Sequence, residues 1–537
     1  MSSSGGRCLR SDSQFVRRGR PSAAGNAAIS LGGAVAPALV ALVVIPMLVR
    51  APGAELFGLL SFIWIVFGTF AVLDFGTGRA TTKFVAELLA SERTAGIPAL
   101  FWSASAINLG VGVFCGLLLY VLAPWLGVHV VKVPDALHPT AVVALRITAF
   151  ALPWIVLGGV FRSALEGLQR FDLSNAVQLP VSALNYIAPL VVARAGGSLP
   201  WVIGAVCLTR MSAVPPLFML CRRQLPMLGR PQVTRRQMRR LVGFGSWLTV
   251  SNVVGPLLLS LDRLFVGSIL GAGALGLYAP VYELVTRLSL VPASVMSALF
   301  PSFSTLTNRS ADEIRRAMRR AQRLLALLML PVMIVGVSFA PIILRLWLGA
   351  AQTPASVAAM QLLLVGLVAL SIGSVPFTLV QALGKPKWSA IVHVIELPIH
   401  AAVTWWAVSR FGVVGAAAAW SLRAVYDALL FDAGVARMIG RPAAATSDAP
   451  VRVTAAMTVG AVILSTLAAS VTAAPTALAL TGTLAFVAFS AGAWLSGLEA
   501  AERRTVLSGL RWLSPRGRSS AGADTATEPV RDQAGRL

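Results

Sequence analysis

The chain has 537 residues, 56% of them hydrophobic and only 12% charged, with a mean hydropathy of +0.78; a soluble domain is about a quarter charged, so the solvent for most of this chain is lipid rather than water. A net charge of +24 in a soluble protein would suggest nucleic acid, but here Lys and Arg collect in short segments between apolar blocks, where they fix topology, and no base-stacking aromatic platform is interleaved with them. Cys8, Cys115, Cys207 and Cys221 show neither a CxxC pair nor metal-ligand spacing, which predicts free thiols, no disulfide, no metal and no cofactor.

Residues 1–24 form a polar, basic tail. The apolar block that follows is too long for a signal-peptide core and carries no cleavage site, so it is expected to be retained as the first membrane helix. About 20 apolar residues, at about 1.5 Å each, cross a hydrocarbon core of about 30 Å. Fourteen such blocks follow one another, over 26–49, 56–78, 97–123, 140–161, 175–193, 199–220, 241–261, 277–302, 323–347, 355–380, 389–409, 412–436, 453–473 and 475–497. The predicted class is an all-α polytopic membrane protein. Segments on the side of the N-terminal tail hold 35 of the 45 Lys and Arg residues, and the opposite side holds Arg50, Lys132, Arg194, Arg263, Arg345 and Arg410. That alternating bias predicts both tails in the cytoplasm.

A shift of 218 residues brings Gly53-Ala54 onto Gly271-Ala272, Gly58-Leu59 onto Gly276-Leu277, Leu179-Pro180 onto Leu397-Pro398, and Gly197 onto Gly415. The matches at Gly and Pro fall at span boundaries. They predict two parallel six-helix repeats, residues 25–221 and 241–440, joined by a cytoplasmic basic linker at 222–240. Residues 441–500 are then an extra two-helix hairpin and 501–537 a disordered cytoplasmic tail. Pro37 and Pro46 in the first span and Gly255-Pro256 in the seventh place a bend in the first helix of each repeat.

At these residues the chain resembles a known family. The segments LDFGTGRATTKFVAEL (Leu73 to Leu88), ALEGLQRFDL (Ala164 to Leu173), LDRLFVGSILGAGALGLYAPVYEL from Leu261, LFPSFSTL (Leu299 to Leu306) and QALGKPK with SRFGVVGAAAAW (Gln381 to Trp420) are similar, in order, to the polysaccharide-export flippases. These are the Wzx-type branch of the MOP (multidrug, oligosaccharidyl-lipid, polysaccharide) exporter superfamily. The resemblance implies two six-helix lobes around a central cavity that opens alternately to either face. Its cargo would be a polyprenyl-diphosphate-linked oligosaccharide crossing the bacterial inner membrane for O-antigen, capsule or exopolysaccharide synthesis. It also implies basic residues in the cavity, no catalytic residues, and a polysaccharide polymerase or export machinery as downstream partner.

Ionisable side chains inside spans are costly and mark functional candidates. Glu283 and Arg287 lie four apart on one helical face, and Arg423 and Asp427 repeat that spacing. Each is either a structural clasp or a site that releases a guanidinium for bidentate binding of diphosphate. Arg210 has no partner at helical spacing in its own span and is expected to find one across the bundle or to face water. Arg146 is expected to snorkel outward. His393, Glu396 and His400 share one helical face and form a candidate proton- or cation-coupling site, with Asp74 of the LDFG segment a second candidate. A zinc site is disfavoured at the two histidines, because i, i+7 separates them by about 10 Å. Asp262 and Arg263 are expected at the outer surface, in a gate with Arg50. Trp125, Trp201, Trp347, Tyr120 and Tyr278 are expected as interfacial anchors.

Two rivals compete with the flippase. A cation-coupled multidrug exporter would share the architecture, but an Arg-rich cavity suits anionic cargo. A membrane glycosyl polymerase or ligase would need a sizeable outer loop bearing acid and base residues, and the longest outer segment, 123–139, is short.

Overall fold

The computed structural model describes residues 23–51, 53–72, 76–129, 132, 134–304, 306, 309–439, 483 and 487. Both tails, the two spans expected beyond residue 450 and Asp74 lie outside these, apart from Thr483 and Val487, so those expectations concern residues not described. Among the described residues the chain is helical, without a strand. The helices are α1 (Ala23–Arg50), α2 (Ala54–Val72), α3 (Thr77–Ala90), α4 (Ile97–His129), α5 (His138–Gly167), α6 (Phe171–Arg194), α7 (Leu199–Met211) and α8 (Val214–Gln224), followed by α9 (Arg235–Phe265), α10 (Ala272–Arg287), α11 (Leu290–Ser304), α12 (Ala311–Leu348), α13 (Pro354–Ala382) and α14 (Pro386–Met438).

Seven of the described helical segments are long and apolar enough to cross a membrane: Thr94–His129, Asp135–Gly167, Phe171–Arg194, Leu199–Gln224, Ala311–Ala351, Pro354–Ala382 and Lys387–Met438. The chain is a multi-pass membrane protein. Phe114, Leu117, Val121 and Trp125 lie exposed along one face of α4, as a lipid-facing stripe does. Trp125, Trp201 and Tyr120 are exposed, as anchors require, and Arg146 is exposed with its guanidinium 4.8 Å over the Tyr120 ring.

Two compact units are defined. One comprises Met1–Gln322 with Ala340–Ala443, the other Arg323–Phe339 with Ala444–Leu537. In the second, Arg323–Phe339 is an apolar helical stretch within α12. In the first, α3, α4, α5 and α8 close around a core that includes Phe101, Phe161, Leu165 and Leu217, with Phe101 and Phe161 stacked at 5.4 Å. Further along, α9 and α13 pack on α14, and α10 packs on α13.

The contact between α2 and α10 joins these sets of helices. Gly53 (φ 87°) starts α2 and Gly271 (φ 93°) starts α10. Both are left-handed turns that favour glycine. A Cβ at Gly58 would strike the Ala272 carbonyl oxygen, and one at Gly276 the Ala54 carbonyl oxygen. Residues 218 apart thus make the same contact from opposite sides, through an Ala-x-x-x-Gly pair on each helix, the small-residue packing of membrane helices.

Several span boundaries differ from the sequence reading. The second span ends at Val72 and a separate helix, α3, follows; the sixth is divided between α7 and α8, and the eighth between α10 and α11. The eleventh and twelfth meet where the sequence places their boundary, at Gly412, whose non-helical backbone (φ 60°, ψ −137°) divides α14 into two helices. Hydropathy marks how long the apolar run is, while the break is set by one residue's backbone freedom.

Candidate functional site

Helices α6, α7, α9 and α10 bring a set of polar side chains together inside the bundle. The i, i+4 spacing on α10 does what helical geometry dictates: Arg287 Nη2 donates to Glu283 Oε2 at 2.7 Å. The same nitrogen donates to the Tyr186 hydroxyl on α6, so the guanidinium is shared between an early helix and a late one. The Tyr186 ring meets Trp64 of α2 edge-on at 5.1 Å. Beside it, Arg210 Nε donates to Asn185 Oδ1 at 2.9 Å, and its guanidinium lies 4.8 Å from the Phe67 ring centre. Arg210 therefore has its partner across the bundle.

Glu283 also faces α9. Its Oε1 is 3.8 Å from Arg263 Nη1, and the Arg263 guanidinium lies 4.0 Å over the Tyr282 ring. Asp262 is fully buried and accepts a 2.7 Å hydrogen bond from the Tyr278 hydroxyl. These positions correct two expectations. Asp262 and Arg263 do not face the outer surface, because the two tyrosines of α10 cover them, and Tyr278 is a buried donor rather than an interfacial anchor. Arg50 is exposed and donates to the Trp347 carbonyl at 2.9 Å, and the Trp347 indole donates to the Leu42 carbonyl at 2.6 Å. The seam formed by α6, α7, α9 and α10 sets three guanidiniums (Arg210, Arg263, Arg287) against two carboxylates (Asp262, Glu283), an excess of one positive charge.

A second cluster lies on α14. The chain reverses at Gly412, so residues 27 apart meet: Arg423 Nε donates to Glu396 Oε1 at 2.6 Å, with 5% and 4% of the two residues exposed. Asp427 Oδ2 is 3.9 Å from Arg423 Nη2. His393 Nε2 lies 4.0 Å from Glu396 Oε2 and 3.8 Å from Asp427 Oδ1. His400, one turn beyond Glu396, faces Thr404 Oγ1 at 3.4 Å and does not join the group. Two carboxylates against one guanidinium leave this cluster one positive charge short, the opposite sign to the seam. Trp420 and Tyr282, edge-on at 6.0 Å, connect α14 to α10.

Sequence inspection paired Glu283 with Arg287 and found every charge named above, but it missed Asn185, Tyr186 and Tyr282. The signal for the first two was present as an Asn-Tyr pair inside an apolar span, since a neutral polar side chain in a membrane helix also needs a partner.

A family model described as "Polysaccharide biosynthesis protein" matches residues 48–357. A Shigella flexneri protein named "Putative O-antigen transporter" is 27% identical over 407 residues, covering 75% of this chain and 96% of its own. Among solved structures, "Lipid II flippase MurJ, inward closed conformation" superposes with a TM-score of 0.65 at 15% identity, over 87% of this chain and 98% of its own. An inward-facing multidrug resistance MATE family transporter of the MOP superfamily superposes with a TM-score of 0.60 at 14% identity, over 75% and 94%. The fold is the one these two solved structures share, and the relatives are named as transporters or flippases rather than enzymes.

Proposed function

The chain belongs to the polysaccharide biosynthesis protein family, and from that premise we propose that it is a flippase carrying a polyprenyl-diphosphate-linked oligosaccharide across the bacterial inner membrane by alternating access. The observation that carries this is the seam at Arg287. One guanidinium bridges Glu283 on α10 and Tyr186 on α6, while its Nε and the Nε of Arg263, which is 3.9 Å from Asp262 Oδ1, are buried without a hydrogen-bond partner. A diphosphate offers these donors the bidentate acceptor geometry that guanidinium prefers, and the surplus positive charge of the seam favours an anion over the cationic cargo of a multidrug exporter. Arg210 and Arg263 complete the anion site, with Glu283 holding Arg287 until cargo replaces it. Arg423 and Asp427 sit in the neighbouring cluster, where they serve cation coupling with His393 and Glu396.

The architecture that goes with this function is fourteen membrane helices, with lobes at 25–221 and 241–440, a linker at 222–240 and both termini cytoplasmic. The reciprocal contact of Gly58 with Ala272 and of Gly276 with Ala54 supports the repeat. It also supplies a dry, backbone-to-backbone closure that can open as a unit. The oligosaccharide released outside would pass to a polysaccharide polymerase or export machinery.

The test is delivery of the lipid-linked oligosaccharide to the outer face in cells producing Arg287→Ala, Arg287→Lys or wild type at matched levels. Hydrogen bonds to a charged group contribute about 1.5–3 kcal/mol, so Arg287→Ala is expected to slow delivery by about tenfold to a hundredfold. Arg287→Lys, which keeps the charge but not the fork, should fall between. Normal delivery by Arg287→Ala would overturn the anion-site assignment.

A further inference from the structure

In the α14 cluster three acceptor atoms converge and bond to nothing. His393 Nε2, Glu396 Oε2 and Asp427 Oδ1 are each buried without a hydrogen-bond partner, and the three residues each place a ligand atom within 4.8 Å of the others. Among the described residues this is the one such group of three His, Cys, Asp or Glu side chains. Arg423 does not satisfy these atoms. It takes the other oxygen of Glu396 at 2.6 Å and approaches the other oxygen of Asp427 at 3.9 Å. The side chain of Glu396 is 2% exposed, so water does not compensate its free oxygen, and an uncompensated buried carboxylate oxygen is costly. Both the unused lone pairs and the charge deficit call for a cation at one point.

Geometry distinguishes a metal ion from a proton. A proton shared between imidazole and carboxylate needs a separation of about 2.6–3.2 Å, and the two found here are 3.8 and 4.0 Å. An ion equidistant from three atoms so spaced lies about 2.4 Å from each, within about 0.4 Å of ordinary zinc–nitrogen and zinc–oxygen bonds, so a small inward movement completes coordination. One imidazole nitrogen with two carboxylate oxygens suits a first-row divalent ion better than sodium or magnesium, which prefer all-oxygen sites.

We propose that His393, Glu396 and Asp427 bind a divalent first-row transition-metal ion of the Mn²⁺ or Zn²⁺ class. Arg423 orients the two carboxylates from behind. The His393 imidazole is fixed between Phe377, stacked at 5.7 Å, and Phe431, edge-on at 5.6 Å. These rings shield the site from solvent and present Nε2 inward. The hydroxyl of Tyr426 lies beside the Glu396 carboxylate and holds it in place. The i, i+7 histidine pair that argues against zinc in the sequence is not the ligand set: His400 is replaced by Asp427, brought in by the reversal at Gly412. The site stands whatever the cargo is, because its ligands lie outside the Arg287 seam.

The test uses the full chain, purified in detergent with a tag free of histidine and stripped of metal, titrated with MnCl₂ while the electron paramagnetic resonance signal of free Mn²⁺ is followed. One Mn²⁺ per chain, displaced by Zn²⁺, is expected. His393→Gln and Asp427→Asn should each weaken binding at least tenfold, and Asp135→Asn, at the exposed carboxylate of another His–Asp pair, should leave it unchanged. Wild type supplies a measurement that needs no variant to fold: its melting temperature in detergent should rise with Mn²⁺ and not with Na⁺. Absence of one-to-one binding, binding that survives both substitutions, a melting temperature unmoved by Mn²⁺, or a response to Na⁺ alone would each overturn the assignment.

Discussion

Replacing Gly276 by valine is expected to push α10 away from α2. An ideal Cβ at Gly276 falls on the Ala54 carbonyl oxygen, with the Ala54 carbonyl carbon at 2.6 Å and Cα at 3.1 Å. At Gly58 the corresponding Cβ falls on the Ala272 carbonyl oxygen, with its carbon at 2.7 Å and the Gly276 nitrogen at 3.0 Å. These neighbours are backbone and cannot rotate aside, so the helices must separate by about 1 Å or more, at a cost of about 1–3 kcal/mol whenever the seam is closed. In the alternating access proposed above the open arrangement bears no such cost, and the closed-to-open ratio should fall by about 5- to 150-fold. Glu55 and Gly273 face each other across the same seam, a Cβ on Gly273 lying 3.5 Å from Glu55 Cγ. In a background lacking the native cysteines, oxidative cross-linking of Glu55→Cys with Gly273→Cys should therefore slow by that factor in Gly276→Val. Gly58→Val should produce a matching loss, since it obstructs the same closure from the other helix. The double variant should fall short of additivity, because one separation relieves both clashes. Unchanged cross-linking in both single variants, or changes of opposite sign, would refute the role of this contact as a closure.

Two further outcomes follow from the second cluster and can be read by thermal unfolding in detergent. Arg423→Met leaves Glu396 buried without its 2.6 Å partner and should destabilise by about 3–5 kcal/mol, whereas Arg423→Met with Glu396→Gln should lose far less than the sum of the single changes. Gly412→Ala puts a Cβ on a backbone at φ 60°, ψ −137° and should cost about 1–3 kcal/mol; a melting temperature equal to wild type would show that α14 can reverse without a glycine.

The helices were largely legible because hydropathy and the 3.6-residue period are local properties. The Glu283–Arg287 pair was legible for the same reason, since both residues ride on one turn pair of α10. The correspondence of Gly53, Ala54 and Gly58 with Gly271, Ala272 and Gly276 was visible as a 218-residue shift. That the two sets touch each other was not visible, because a repeat in sequence says nothing about which faces meet. The outer gate of Arg50 with Asp262 and Arg263 failed as a grouping for a similar reason. All three stand near helix ends, but Tyr278 and Tyr282 turn the latter two inward, and Arg50 finds the Trp347 carbonyl.

By itself the sequence determined that this chain is a helical membrane protein, which of its charges fall within apolar stretches, and where its glycines allow a turn or a close approach. Only the tertiary structure decided which of those charges share a site. Glu396 and Arg423 are 27 residues apart, Asn185 and Arg210 are 25, and Tyr186 and Arg287 are 101. Each pair depends on how a bend or a helix crossing aims a side chain, and that direction is set by packing against a neighbour rather than by the residues on either side in the chain.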